Sequence, residues 1–171
     1  MRKIRFSDTS LILTWFSADF GKIKTVAKGA LRPKSKFSGV IDLFYECEIQ
    51  FARSTKSELH TLREAGLLNA RDGIRKDYTR VALASYFVEL LELTTETDHP
   101  APDLHDLFKR ALHHLDEKPP SRRAFDHFEA ELARLLGIQN PAATPVAALM
   151  RVYHKLPSSR KEILRLLDKR A

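Results

Sequence analysis

The spacing of apolar residues along this chain changes once, near residue 70. From Ile41 to Phe51 the residues Ile41, Leu43, Tyr45, Cys47, Ile49 and Phe51 alternate with Asp42, Phe44, Glu46, Glu48 and Gln50, the period of a half-buried strand. Leu11 to Phe16 is a shorter apolar run, and Asp19-Phe20-Gly21 reads as a turn into a second strand, Lys22 to Lys28. In that strand Lys22, Lys24 and Lys28 share one face, while Ile23, Thr25 and Ala27 share the other. Glu58 to Leu67 is a further strand. The first 70 residues thus predict a small antiparallel barrel or sandwich.

Beyond Arg71-Asp72-Gly73 the spacing is helical. Tyr78 to Leu93 is apolar around most of its circumference, as a central buried helix should be. Leu104, Leu107, Phe108, Leu112 and Leu115 follow the one-face pattern of a packed surface helix. Ser121 is placed to cap a third helix carrying Phe125, Phe128, Leu132 and Leu135, with Gly137 as its stop. Ser159 and Glu162 have capping-box spacing ahead of Ile163, Leu164 and Leu167. Strands and helices in separate blocks predict an α+β fold, with a β domain over residues 1–70 and a helical bundle over residues 71–171. No internal repeat is visible.

Composition adds little beyond a folded chain of 171 residues with 43% hydrophobic and 30% charged side chains. No apolar run approaches the roughly 18 to 20 residues that cross a bilayer. The opening MRKIRFSDTS lacks the pattern of a signal peptide, so the expectation is a cytoplasmic protein without a membrane partner. Cys47 is alone and forms no internal disulfide.

Charge changes the picture more. The net charge is +7, with 11 basic and 6 acidic residues over 1–60, and 7 and 2 over 151–171. Both ends are basic. Residues 21–39, GKIKTVAKGALRPKSKFSG, hold six cations with no acid between Asp19 and Asp42. Lys22, Lys24, Lys28, Arg32, Lys34 and Lys36 are the candidate phosphate contacts, since such a row binds a polyanion without reading its sequence. The bland alternative is a solvated, solubilising surface.

Two aromatics lie near this surface. Alternation places Phe44 on the polar face with Glu46 and Glu48, and Phe37 lies inside the basic loop, so both are candidates to stack bases. Equally open is that Phe44 is covered and that Phe37 anchors its loop. Trp15 and Phe16 read as core. At the other end Arg160, Lys161, Arg165, Lys169 and Arg170 form a second polyanion contact, a membrane-surface helix or, more commonly for such a pattern, the outer face of a bundle-closing helix.

Chemistry-bearing patterns are missing. His99, His105, His113, His114 and His127 are scattered without metal-ligand spacing, and no phosphate-binding loop or nucleophile elbow occurs. The reading is a non-enzyme with no metal site and no cofactor.

The run at 21–39 resembles the motif that opens the bacterial recombination mediator family RecO. Asp8 to Leu13, DTSLIL, is similar to a strand of that family; ALASYFVELLEL at 82–93 is similar to its first long helix, and the stretch from Phe125 to Gly137 to its FE-xLL-LLG helix. The resemblance implies an N-terminal OB-fold barrel followed by a helical domain. It implies DNA repair through the RecFOR pathway: binding of single- and double-stranded DNA, strand annealing and, with RecR, assistance to RecA in replacing single-strand binding protein. The acidic C-terminal tail of that protein would dock on the helical domain, and the protein would work at the nucleoid. Relative to the family pattern this is a short form. It lacks the four-cysteine zinc module, and Met1 enters partway through the first strand, so either the start codon lies upstream or the barrel has an exposed edge. Two rivals stand beside this reading: a generic OB-fold RNA-binding or ribosome-associated protein, and an adaptor for an acidic protein partner.

Overall fold

The computed structural model describes residues 2–169, so Arg170 of the basic C-terminal group lies outside the described residues. Five strands precede six helices: β1 (Arg2–Arg5), β2 (Leu11–Ser17), β3 (Gly21–Ala27), β4 (Glu46–Ala52), β5 (Leu59–Asn69), then α1 (Asp72–Arg75), α2 (Tyr78–Thr94), α3 (Pro102–Glu117), α4 (Arg122–Leu135), α5 (Pro145–Tyr153) and α6 (Arg160–Asp168). The chain is α+β, an OB-like sheet followed by helices. It forms two compact units, the first reaching to Arg71 and including Glu96–Ala101, the second made of Asp72–Thr95 and the chain from Pro102 onward. Among the described residues no helix is long and apolar enough to cross a membrane.

In the first unit the strand order is β1-β2-β3-β5-β4, antiparallel except for the parallel pair β3 and β5. The sheet is not closed by hydrogen bonds between β1 and β4, and β1 is an exposed edge studded with Arg2, Lys3 and Arg5. Lys3 pairs instead with Asp42, in the segment ahead of β4. Leu11 and Leu13 of β2, Ala27 of β3 and Leu62 of β5 form the inner layer. The turn at 18–20 ends on Gly21, whose φ of +60° and position against the His99 carbonyl both require glycine: a Cβ there would lie 1.9 Å from that oxygen. The segment 96–101 is held to β3 at this point, with the Asp98 amide donating to the Lys22 carbonyl at 2.9 Å and the Ala101 amide to the Ala18 carbonyl at 3.3 Å.

The expected strand from Ile41 to Phe51 begins only at Glu46. Asp42 accepts a hydrogen bond from the Leu43 amide at 2.9 Å, and Phe44 has φ of +65°, a left-handed conformation that no strand continues through. From Cys47 onward the expected alternation holds, with Glu48 and Gln50 exposed beside half-buried Ile49 and Phe51.

In the second unit α2 carries the core, burying Leu83, Phe87, Leu90 and Leu91 among others. Phe87 stacks on Phe128 of α4 with ring centroids 3.9 Å apart, and Tyr86 on Phe125 at 5.2 Å. Ser121 caps α4 as expected, its hydroxyl accepting from the Ala124 amide at 3.2 Å, and Gly137 ends that helix at φ of +67°. The capping box at α6 does not form. Ser159 is already helical and its hydroxyl donates to Glu89 of α2 instead of accepting from the first turn. Helix α5 was not expected; Thr144 caps it and Pro145 opens it.

Candidate nucleic-acid interface

The basic run starts on β3, where Lys22 and Lys24 alternate with buried Ile23 and Thr25 and are themselves half-buried. Lys24 Nζ lies 3.8 Å from Glu58 Oε2, a partly exposed pair of small energetic weight. After Ala27 the chain enters successive tight turns: the Arg32 amide donates to the Gly29 carbonyl, the Ser35 amide to Arg32 and the Ser38 amide to Ser35. Lys28, Arg32, Lys34 and Lys36 all point into solvent from these turns. Among the described residues none of the four makes an ion pair, so their charge is uncompensated. Of the six expected contacts, these four form the open part of the surface.

The two aromatic expectations need correction. Phe37 is 3% exposed and belongs to the core with Leu11, Leu13 and Ile41, and Phe44 is 8% exposed. Neither presents a face for stacking a base. Phe37 is the anchor of the basic loop: burying such a ring is worth about 1.5–3 kcal/mol, and Lys36 Nζ sits 5.4 Å from its centroid. Phe44 is turned inward by the left-handed backbone that also shortens β4.

An aromatic that the alternation pattern did not single out lies elsewhere. Phe6, 57% exposed, stands at the rim of a shallow basin of about 490 Å³. Lys28 and Arg32 line the same basin, and its floor is Val26 of β3 with Leu59 and Thr61 of β5. The β3–β5 register, Lys24 opposite Leu59 and Val26 opposite Thr61, builds that floor.

The second unit has an apolar cleft of about 380 Å³ between α2, α3 and α4, floored by Phe87, Leu107 and Phe128 and rimmed by Arg110, Arg123, His114 and His127. Arg110 is engaged with Asp106 at 2.7 Å. Burial first, then Lys118, His113 and His127, hold the His114 imidazole below its ordinary pKa. Among the described residues no three His, Cys, Asp or Glu side chains gather where they would hold a metal ion. Of the basic group on α6, Arg160 is turned into the bundle, donating to both carboxylate oxygens of Glu129 at 2.7 and 2.9 Å. Lys161, Arg165 and Lys169 are exposed.

The family described as Recombination protein O N terminal matches residues 1–71, which hold all six cations and the basin, and that described as Recombination protein O C terminal matches residues 75–141. The chain belongs to the RecO family. Relatives named DNA repair protein RecO include that of Rhodopirellula baltica, 33% identical over 80% of this chain and 51% of the relative, and that of Geobacter metallireducens, 33% identical over 77% and 53%. The RecO of Syntrophus aciditrophicus is 28% identical over 80% of this chain and 53% of its own. The chain spans about half the length of these RecO relatives. Helices α5 and α6 lie beyond the RecO C-terminal match.

Proposed function

We propose that this chain is a recombination mediator in DNA repair. It binds single- and double-stranded DNA through the basic face of its first unit, anneals complementary strands and, with RecR, helps RecA displace single-strand binding protein. The observation that carries this reading is the set of four exposed, ion-pair-free cations, Lys28, Arg32, Lys34 and Lys36, within the RecO N-terminal match. Annealing needs a surface that lowers repulsion between two strands without gripping one sequence, and phosphate contacts do this because they carry no base information. The proposed docking place for the acidic tail of single-strand binding protein is the apolar cleft with its arginine and histidine rim, which matches apolar side chains followed by a carboxylate. Such a role belongs at the nucleoid, in the cytoplasm. No step of it requires a cofactor.

The test is Lys34→Glu with Lys36→Glu. Affinity for single-stranded DNA should fall with salt by a log-log slope of about −0.7 per phosphate contacted. The double variant should lower both affinity and slope, equally across sequences, and slow annealing in parallel while circular dichroism stays unchanged. Wild-type affinity, slope and annealing in that variant would remove the physical basis of the proposal. Binding to RNA without annealing of DNA would favour an RNA-binding protein instead.

A further inference from the structure

We infer that the basin beside Phe6 is a seat for one unpaired nucleotide, in which Phe6 stacks on the base while Lys28 and Arg32 hold the flanking phosphates, so that the first unit prefers single-stranded to duplex DNA. This rests on the DNA-binding reading above and adds a base contact to it.

Phe6 follows β1, lies outside the core cluster and leaves more than half of its surface in water. Its backbone is fixed nonetheless: the Phe6 amide donates to the Ser10 carbonyl at 2.9 Å, closing the β1–β2 turn. That turn is tied to the basic turn, with the Leu31 amide donating to the Thr9 carbonyl at 3.0 Å and the Gly29 amide to Ser10 Oγ at 3.4 Å. Gly29 holds a φ of +71° that permits the reversal. The backbones that carry the two cations and the ring are therefore set on neighbouring, mutually bonded turns before any ligand arrives, which spares the backbone part of the ordering cost of binding.

The chemistry of the walls suits a nucleotide. The floor of Val26, Leu59 and Thr61 bears no charge, while Lys28 and Arg32 are unpaired among the described residues. The carboxylate of the β1–β2 turn, Asp8, does not line the basin and pairs in solvent with Arg5 at 3.1 Å. The volume of about 490 Å³ falls within the range of roughly 300–1,000 Å³ common for ligand clefts. A base paired and stacked within a duplex has no face to offer Phe6, and extruding one costs a few kcal/mol. A single strand has faces available at every residue.

Three variants of the full chain, titrated with an oligothymidylate and with a blunt duplex, test the inference. Phe6→Ala should weaken single-strand binding about tenfold, as loss of one base–aromatic stack does, and change duplex binding by less than about twofold. Phe6→Trp should keep single-strand affinity. Lys28→Glu with Arg32→Glu should weaken both ligands. If Phe6→Ala weakened both ligands equally, or neither while the charge reversal still weakened both, stacking would be overturned and the phosphate reading would stand. If neither the alanine nor the charge-reversal variant changed binding, both readings would fall. Because Phe6 is exposed, these substitutions leave the core intact, which circular dichroism checks.

Discussion

Arg160 of α6 and Glu129 of α4 meet through two hydrogen bonds, and Glu129 is only 3% exposed. The same carboxylate accepts from the Tyr86 hydroxyl, and the Arg160 guanidinium lies 5.2 Å from the Phe125 ring centroid. Burial, and then Glu129, push the Tyr86 phenol well above its ordinary pKa, which keeps it a donor. Removing the arginine leaves a buried charge with one neutral partner. Arg160→Ala should therefore cost about 3–5 kcal/mol in urea unfolding, whereas Lys161→Ala, on the exposed side of the helix, should stay within about 0.5 kcal/mol. Equal small effects would show that α6 is held by its apolar face alone.

Gly21→Ala should be costly for two separate reasons, a left-handed φ and a collision with the His99 carbonyl. We expect a loss well over about 1 kcal/mol, together with faster hydrogen exchange at the Asp98 amide, whose bond to the Lys22 carbonyl depends on that close approach. Unchanged exchange at Asp98 would show that segment 96–101 does not depend on the glycine.

The sequence made the β2–β3 hairpin and the turn at Gly21 readable, because period-two alternation and a glycine at a turn are local signals. It hid features that depend on distant partners. Ser159 has the spacing of a cap, yet Glu89, seventy residues earlier, takes its hydroxyl. Phe44 obeys the parity of an exposed strand position, but parity does not register the Asp42 bond that breaks the strand. Phe6 carries no such local signal, because an apolar residue after Arg5 looks like strand interior, and only the assembled sheet shows that more than half of its surface is left in water. The cations of the basic loop are legible as a row, whereas the sequence leaves Phe37 open between stacking a base and anchoring its loop, and only its burial in the folded sheet decides for the anchor.

Stability should depend on pH through His114. Its imidazole is held below the ordinary value near 6.5 in the folded chain, so the unfolded chain takes up a proton first. Stability is full above that value, falls as pH drops through it and levels off below the folded pKa. His114→Gln should flatten this part of a melting-temperature profile. An identical slope in the variant would assign the dependence to other groups.

Arg123→Glu should weaken binding of an acidic peptide ending like the tail of single-strand binding protein severalfold, because the substitution reverses a rim charge beside an apolar floor. Added salt should weaken wild-type binding in the same direction. Calorimetry showing full affinity in the variant would move the docking place away from this cleft.

The stretch Glu96–Ala101 belongs by its contacts to the sheet, although α2 precedes it in the chain. A ribosome therefore releases β1 to β5 long before it releases the residues that satisfy the Lys22 and Ala18 carbonyls and that place Asp98 against His60. During synthesis, at about 5–20 residues per second, the nascent sheet waits with that border unfinished until the whole of α2 has been made. Severing the chain after Arg71 would make the wait permanent, so the order of translation and the order of completion differ for this unit.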